Sequence, residues 1–343
     1  STAAMSGAVS AASCLSEIDT KIGFVGPHVN ALPLEVLELH DFIDVTFTNE
    51  GVYSLLNLLG TDLSDDGLKS VNGIAYRSST GDISINPPER IVPQELLEVD
   101  LPGIAYDLMP SFDNYRTSSW HANYIDEDRS PFASIYTSLG CIFKCEFCMI
   151  NIINRDDNNP LAASADFNKF RYWDPQFTIK QLDYLAEKGV KQLKIADEMW
   201  VLKPKHFEVL CDLIIQRDYG FNIWAYARID TVKPKYLEKL KKAGVNWLAL
   251  GIEAGNQDIR REITKGKFED INIREVFLSY DHIPSKTYNL EAKEVLAFRD
   301  YAFHALFENP RFLNMINNKF GHKAVDNINR MTSIKLKRRI LEK

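Results

Sequence analysis

Short apolar runs alternate with amphipathic segments along residues 1–85. In chain order this pattern predicts a helix at 1–18, a strand at 21–26, a helix at 34–39, a strand at 43–48 and a helix at 52–59. Strands separated by helices favour a parallel sheet with helical crossovers. Two further runs, 73–77 and 82–85, flank a Ser-Ser-Thr-Gly turn and predict a β-hairpin.

A second α/β pattern begins near residue 131, after a segment at 86–130 that is rich in Pro, Asp, Ser and Tyr and has little periodicity. The predicted strands lie at 132–137, 192–197, 221–227 and 247–252, and the predicted helices at 178–188, 204–217 and 234–243. Repeated strand–helix units at this spacing predict all or part of a parallel barrel, in which the carboxyl ends of the strands meet at one mouth.

Three of the five cysteines lie close together, directly after the first strand of this second unit. Cys141, Cys145 and Cys148 have the spacing C-x3-C-x2-C, which lets three thiolates bind one centre if the backbone forms a loop around it. A structural zinc site normally has a fourth ligand nearby, but the nearest histidines are His121 and His206. An iron–sulfur cluster with one iron left open therefore fits better, and zinc stays as an alternative.

The stretch Gly140-Cys141-x3-Cys145-x-Phe147-Cys148, following a strand, resembles the signature loop of the radical S-adenosylmethionine (radical SAM) enzymes. The resemblance implies that the three cysteines hold a [4Fe-4S] cluster whose fourth iron binds the amino and carboxylate groups of S-adenosylmethionine. Reductive cleavage of this ligand would then give a 5′-deoxyadenosyl radical. It would abstract hydrogen from a small organic substrate.

The same resemblance implies three residues that bind S-adenosylmethionine or substrate, each near the carboxyl end of a predicted strand. Glu198 would accept a hydrogen bond from the amine, and Arg228 would pair with the carboxylate. Glu253 would bind the ribose hydroxyls or the substrate. For each of them a salt bridge at a strand end is the alternative, and no catalytic residue is assigned.

The amino-terminal unit resembles part of another known domain. Val25-Gly26-Pro27-His28, Asp44 and Asn49-Glu50-Gly51 are similar to the second half of the cobalamin-binding, Rossmann-like domain that precedes many radical SAM cores. This likeness makes cobalamin a further candidate cofactor, and methyl transfer to carbon would then be the expected reaction. The alternative is that the unit is an α/β half-domain that binds no cofactor. Such domains normally begin with more strands, and the first residue is Ser1, so the chain is expected to be truncated.

The carboxyl-terminal region departs from the family pattern. Related cores usually have six strand–helix units, but residues 277–343 show no convincing strand and predict helices at 290–306 and 323–341. An internal deletion near 276–280 is therefore expected. The predicted architecture is α/β: a partial Rossmann-like domain at 1–85, a linker at 86–130, a partial (β/α) barrel of the radical SAM type at 131–276, and a helical tail at 277–343.

The composition of the chain limits the kinds of partner that the protein is expected to bind. The 343 residues have a formal net charge of −7, which does not favour a nucleic-acid partner, and no apolar run is long enough for a membrane helix. A cytoplasmic enzyme is expected, with Cys14 and Cys211 as buried free thiols and an electron donor such as flavodoxin or ferredoxin as partner. The alternative function is an inactive, cluster-binding fragment.

Overall fold

A computed structural model describes residues 4–18, 20–143, 145, 148, 150, 170–228, 231–251, 262–263, 290–336, 338 and 341. The strands are β1 Gly23–Phe24, β2 Val45–Phe47, β3 Ile74–Arg77, β4 Ile83–Ile85, β5 Phe132–Ile135, β6 Ser138–Gly140, β7 Phe170–Tyr172, β8 Gln192–Ile195, β9 Asn222–Arg228 and β10 Val245–Gly251. The helices are α1 Met5–Ser13, α2 Pro27–Ala31, α3 Pro33–Leu39, α4 Val52–Leu59, α5 Asp65–Lys69, α6 Leu97–Asp100, α7 Pro175–Glu187, α8 Pro204–Arg217, α9 Pro234–Lys242, α10 Ala292–Phe307, α11 Pro310–Phe320 and α12 His322–Thr332. No helix in these ranges is long and apolar enough to cross a membrane.

The amino-terminal sheet has the order β1-β2-β3-β4. Strands β1 and β2 are parallel, and β2, β3 and β4 pair in antiparallel fashion, which confirms both the predicted crossover and the predicted hairpin. Helix α1 ends at Ser13, before the predicted end at Ile18, because Leu15 and Ile18 are exposed and have no core to pack against. Ala12 is its buried contact with the core formed by Val29, Leu37 and Ile43.

The second sheet has the order β10-β9-β8-β5, and all three pairings are parallel. This confirms the four predicted strands of the core and the three predicted helices between them, while the segment after β10 lies mostly outside the described residues. Leu193 and Ile195 of β8 and Ile223 and Ala225 of β9 belong to one hydrophobic core with buried residues of α7, α8 and α9. Side chains alternate along a strand, so Lys194, Trp224 and Tyr226 lie on the opposite, inner face of the sheet.

A small antiparallel sheet of β6 and β7 was not predicted. It pairs Ser138 with Tyr172 and Gly140 with Phe170. Residues 151–169, which precede β7, lie outside the described residues. Three residues give too little pattern to predict a strand, and the partner lies about thirty positions away, beyond the reach of local sequence rules.

Within residues 290–336, the continuous part of the tail that the structure describes, there are three helices where two were predicted. Helix α10 agrees with the predicted helix at 290–306, but α11 was missed, and the prediction that one helix continues to Leu341 is wrong. Two residues explain the breaks: Asn309 caps α11 by accepting a hydrogen bond from the N–H of Arg311, and Gly321 has a φ of 82°. The expected deletion near 276–280 lies outside the described residues.

The two free cysteines outside the loop have different environments. Cys211 is buried in α8, as predicted, but Cys14 is exposed, which corrects the prediction of a buried thiol. Cys14 follows the end of α1, where the chain leaves the core surface. Neither forms a disulfide bond.

A buried ion pair connects the amino-terminal unit to β7. Arg171 Nη2 lies 2.7 Å from Glu50 Oε1, Nη1 lies 3.2 Å from Oε2, and the two side chains are 2% and 11% exposed. Arg171 Nη1 also donates to the carbonyl of Val92 at 2.6 Å, and Glu50 accepts from the N–H of Val92 at 2.7 Å. The forked geometry and these extra hydrogen bonds satisfy both charges away from water.

Removing one member of this pair is expected to destabilise the protein strongly. Arg171→Met leaves the Glu50 carboxylate buried without its cation, so the free energy of unfolding should fall by about 3–5 kcal/mol in urea titrations. Arg217→Gln breaks a solvent-exposed pair with Asp183 and should have a much smaller effect, because water screens it. Equal losses in the two variants would contradict the assignment of a buried, connecting pair.

Two buried histidines should make stability depend on pH. Burial lowers the pKa of His121 and of His206 from 6.5 to about 4, so the unfolded chain binds protons that the folded chain does not. The free energy of unfolding should therefore decrease by about 2 kcal/mol per histidine between about pH 7 and pH 5. His206→Gln should reduce this dependence, and His322→Gln, at a side chain 80% exposed, should leave it unchanged.

Candidate functional site

The carboxylate of Asp197 anchors the start of the cysteine loop. It follows β8, is fully buried, and accepts hydrogen bonds from Thr137 N, Thr137 Oγ1 and Ser138 Oγ, each at 2.6 Å. Burial raises the pKa of Asp197 to about 6, while the three hydrogen bonds act in the opposite direction. The carboxyl ends of β5 and β8 are thereby held together where the loop begins.

Glu198, the next residue, contacts the loop itself. Its Oε2 accepts a hydrogen bond from the N–H of Gly140 at 3.0 Å. Gly140 has a φ of 85°, a conformation that favours glycine, and it immediately precedes Cys141. Burial raises the pKa of Glu198 to about 7, and the neighbouring charge of Asp197 adds to this. The predicted amine-binding residue thus lies at the loop.

The three cysteines are in the reduced state, with Cys141 and Cys145 buried and Cys148 half-buried. The N–H of Phe143 donates to Cys141 Sγ at 3.5 Å, and the N–H of Cys148 donates to the carbonyl of Cys145 at 3.0 Å. Burial raises the pKa of the Cys141 thiol to about 11, so its thiolate needs a bound cation to be stable there. The buried sulfur of Cys141, which accepts an N–H hydrogen bond, fits a ligand of an iron–sulfur cluster.

The zinc alternative gains no support from the described part of the chain. Within it, no three histidine, cysteine, aspartate or glutamate side chains are grouped to hold a single metal ion. A [4Fe-4S] cluster makes a different demand, because each cysteine binds a different iron and the sulfurs need not converge on one point.

Arg228, at the end of β9, reaches the same loop. Its guanidinium carbon lies 3.6 Å from the ring centroid of Phe143. The backbone N–H of Arg228 donates a hydrogen bond to Met199 Sδ at 3.2 Å. Three of the four predicted strand ends therefore meet at one mouth. They are the ends that carry the cysteines, Glu198 and Arg228. The fourth, with Glu253, lies outside the described residues.

Sequence reasoning missed the anchoring role of Asp197, which was considered only as the neighbour of Glu198. It also missed Lys194 and Trp224 on the inner face of the sheet. No local signal marks these residues, since each acquires its role from a strand or loop distant in sequence.

Comparison with known proteins agrees with this geometry. Residues 135–277 match the Radical SAM superfamily, a range that includes all three cysteines, Glu198 and Arg228. This region is similar to a radical SAM domain. The family uses a [4Fe-4S] cluster and S-adenosylmethionine, and the parallel sheet covered by α7, α8 and α9 is the α/β fold expected of it.

Curated relatives are longer than this chain. It is 27% identical over 269 residues to the uncharacterized methyltransferase PH0819 of Pyrococcus horikoshii, an alignment that covers 77% of the chain and 52% of the relative. It is 26% identical over 251 residues to 4′-phospho-dehydrooxetanocin synthase of Priestia megaterium, covering 65% of the chain and 29% of that protein. The chain thus spans about half or less of the length of these relatives.

A solved structure shows the same fold. The radical S-adenosylmethionine methyltransferase TsrM from Kitasatospora setae, with tryptophan and a SAM analogue bound, matches with a TM-score of 0.50 and 14% identity. The match covers 90% of this chain and 50% of that one.

The three loop cysteines should be required for iron binding, and the other two should not. After anaerobic reconstitution with iron and sulfide, Cys141→Ser, Cys145→Ser and Cys148→Ser should each lose most of the bound iron and the visible absorption of the cluster. Cys211→Ser and Cys14→Ser, outside the loop, should keep both. Iron retained at wild-type level in any loop variant would exclude that cysteine as a ligand.

Proposed function

We propose that the chain belongs to a radical SAM enzyme that reductively cleaves S-adenosylmethionine to act on a small organic substrate. The observation that carries the proposal is the meeting of the cysteine loop, Glu198 and Arg228 at the carboxyl ends of adjacent parallel strands within a region similar to a radical SAM domain. In this fold class the active site lies at that end of the barrel.

Cys141, Cys145 and Cys148 would hold the [4Fe-4S] cluster, which when bound supplies the electron that breaks a carbon–sulfur bond of S-adenosylmethionine. Glu198 would accept a hydrogen bond from the ligand's amine, since it is already oriented by the N–H of Gly140. Arg228 would pair with the ligand's carboxylate, with Phe143 supporting its guanidinium plane. Glu253 completes the proposed set through the ribose or the substrate.

Cobalamin-assisted methyl transfer is the reaction outcome that we favour. Two relatives are named as methyltransferases, PH0819 and the cobalamin-dependent radical SAM methyltransferase TokK of Streptomyces tokunonensis, the second at 23% identity. The amino-terminal unit offers open backbone after its parallel strands: Gly26 has a φ of 129°, and a Cβ added there would meet nothing within 4 Å. Gly51, with a φ of 81°, follows β2. A Cβ at Gly51 would meet the side chains of Val25 and Phe47, so the open backbone is at Gly26, where a large, flat cofactor could approach closely. Cobalamin bound there would supply a methyl carrier.

The proposed partners follow from the chemistry. One-electron reduction requires a protein donor, for which flavodoxin or ferredoxin is suited. Free thiols together with an iron–sulfur loop favour the reducing environment of the cytoplasm.

The domain limits at 85, 130 and 276 stay predictions. The alternative function is a cluster-binding protein without turnover.

The decisive experiment is electron paramagnetic resonance of the reconstituted, reduced protein with and without S-adenosylmethionine, combined with assay of 5′-deoxyadenosine. A reduced cluster signal that changes on adding the ligand, with formation of 5′-deoxyadenosine, is expected. Glu198→Gln and Arg228→Met should keep the cluster but bind the ligand about 10-fold or more weakly, because each loses a charge-assisted contact. Glu238→Gln and Arg217→Gln, at exposed positions, are the matched controls.

The outcomes separate the alternatives. A cluster signal that is indifferent to S-adenosylmethionine would favour the cluster-binding protein without turnover. Bound zinc without a cluster would contradict the proposal. Equal effects in the Glu198 and Glu238 variants would remove Glu198 from the binding site.

A further inference from the structure

A group of aromatic rings closes the inner face of the parallel sheet, beneath the cysteine loop. We call this group the aromatic floor; it consists of Trp120, Trp224, Trp247 and Phe320. The ring centroid of Trp120 lies 5.3 Å from those of Trp224 and Trp247, in edge-on contacts, and Trp247 stacks on Phe320 at 6.1 Å. The linker, two strands and a tail helix thus contribute to one apolar surface.

Lys194 is a charged side chain that lies on the Trp224 end of this floor, while Lys319 lies over Phe320 at the other end. Lys194 pairs with Trp224 in the sheet register, and its Nζ lies 4.5 Å from the Trp224 ring centroid and 5.0 Å from that of Tyr226. Its neighbours Leu193 and Ile195 point into the helix-covered core, so Lys194 faces the interior of the barrel.

No anion balances this ammonium in the described part of the chain, where Lys194 has neither a carboxylate partner nor a hydrogen bond. The indole N–H of Trp224 is also buried without an acceptor there. Contacts with ring faces stabilise the ammonium electrostatically, but the rings do not replace a hydrogen-bond acceptor. Two donors, the Lys194 ammonium and the Trp224 indole N–H, therefore lie together on a largely aromatic surface without a hydrogen-bond acceptor of their own in the described residues.

The position of Lys194 relates it to the proposed active site. Along β9 the inner-face residues are Trp224, then Tyr226, then Arg228, and Arg228 contacts the cysteine loop through Phe143. Two residues along a strand span about 6.6 Å, so Lys194 lies roughly two such steps below the Arg228 layer. The layer between them contains Ala196 and Ala249, whose small side chains flank Tyr226, itself 36% exposed.

We infer that the substrate of the proposed reaction carries an anionic group, a carboxylate or a phosphate, that pairs with Lys194 on the aromatic floor. The apolar body of the substrate would lie against Tyr226, in the space left by Ala196 and Ala249. Its reacting carbon would then point up toward the cysteine loop. This inference rests on the proposed function. A charge-assisted contact inside a partly enclosed apolar site gives both affinity and orientation.

Calorimetric titration of the reconstituted protein with benzoate, its uncharged analogue benzamide, and phenyl phosphate tests the inference. Wild-type protein should bind benzoate or phenyl phosphate and should bind benzamide at least about 10-fold more weakly, the effect of one charge-assisted contact. Lys194→Gln should weaken anion binding about 10-fold, whereas Lys194→Arg should keep it. The matched control is Lys180→Gln, which removes the same charge at an exposed position of α7 and should change nothing.

Two results would overturn the inference directly. One is wild-type protein that binds neither anion or does not distinguish benzoate from benzamide. The other is an equal loss in Lys194→Gln and Lys180→Gln. Circular dichroism of each variant shows whether the fold is intact, and retained binding in Lys194→Arg distinguishes lost charge from lost structure.

Further titrations distinguish the source of the anion and separate this inference from the proposed function. If S-adenosylmethionine displaces benzoate and Lys194→Gln weakens S-adenosylmethionine itself, the anion is the cofactor's carboxylate and the assignment to substrate fails. If 5′-deoxyadenosine forms but no anion binds, the proposed function stands and this inference fails. If anions bind through Lys194 but no 5′-deoxyadenosine forms, the anion site stands and the proposed radical chemistry fails.

Discussion

The candidate site depends on the buried carboxylate of Asp197. Its three hydrogen bonds to Thr137 and Ser138 connect the carboxyl ends of β5 and β8 and determine where the chain leaves the sheet to form the cysteine loop. A buried donor or acceptor that loses its partner costs about 1–3 kcal/mol, so a loop that shifted away from Asp197 would leave several such groups unsatisfied. The position of the loop relative to Glu198 follows from this constraint.

A second constraint connects the amino-terminal unit to the same loop. Glu50 follows β2, and its buried partner Arg171 lies in β7, which pairs with β6 immediately before Cys141. The connection therefore runs from the proposed cobalamin-binding unit through one ion pair and one small sheet to the proposed cluster ligands. Breaking a buried pair is costly, and so this connection is expected to keep the two units in a fixed relation.

Charge on the inner face of the sheet is distributed in two layers. Glu198 and Arg228 form the upper layer next to the loop, where opposite charges suit a ligand that has both an amine and a carboxylate. Lys194 forms the lower layer, on aromatic rings and without an acidic neighbour in the described residues. The upper layer contains charges of both signs, and the lower layer contains a positive charge. This difference suggests that the two layers bind different ligands, and the inference about an anionic substrate follows from it.

The sequence alone determined the fold class, the order of the strands and helices in the core, and the three cysteines. Those features are local, because hydrophobic periodicity, glycine and proline signals and a fixed cysteine spacing are contained in short windows. Tertiary structure alone decided the β6–β7 pairing, the buried Arg171–Glu50 pair, the anchoring by Asp197 and the place of Lys194 on the aromatic floor. Each of these joins residues about thirty to more than one hundred positions apart, and contacts between distant segments depend on how whole elements pack, which no short window of sequence contains.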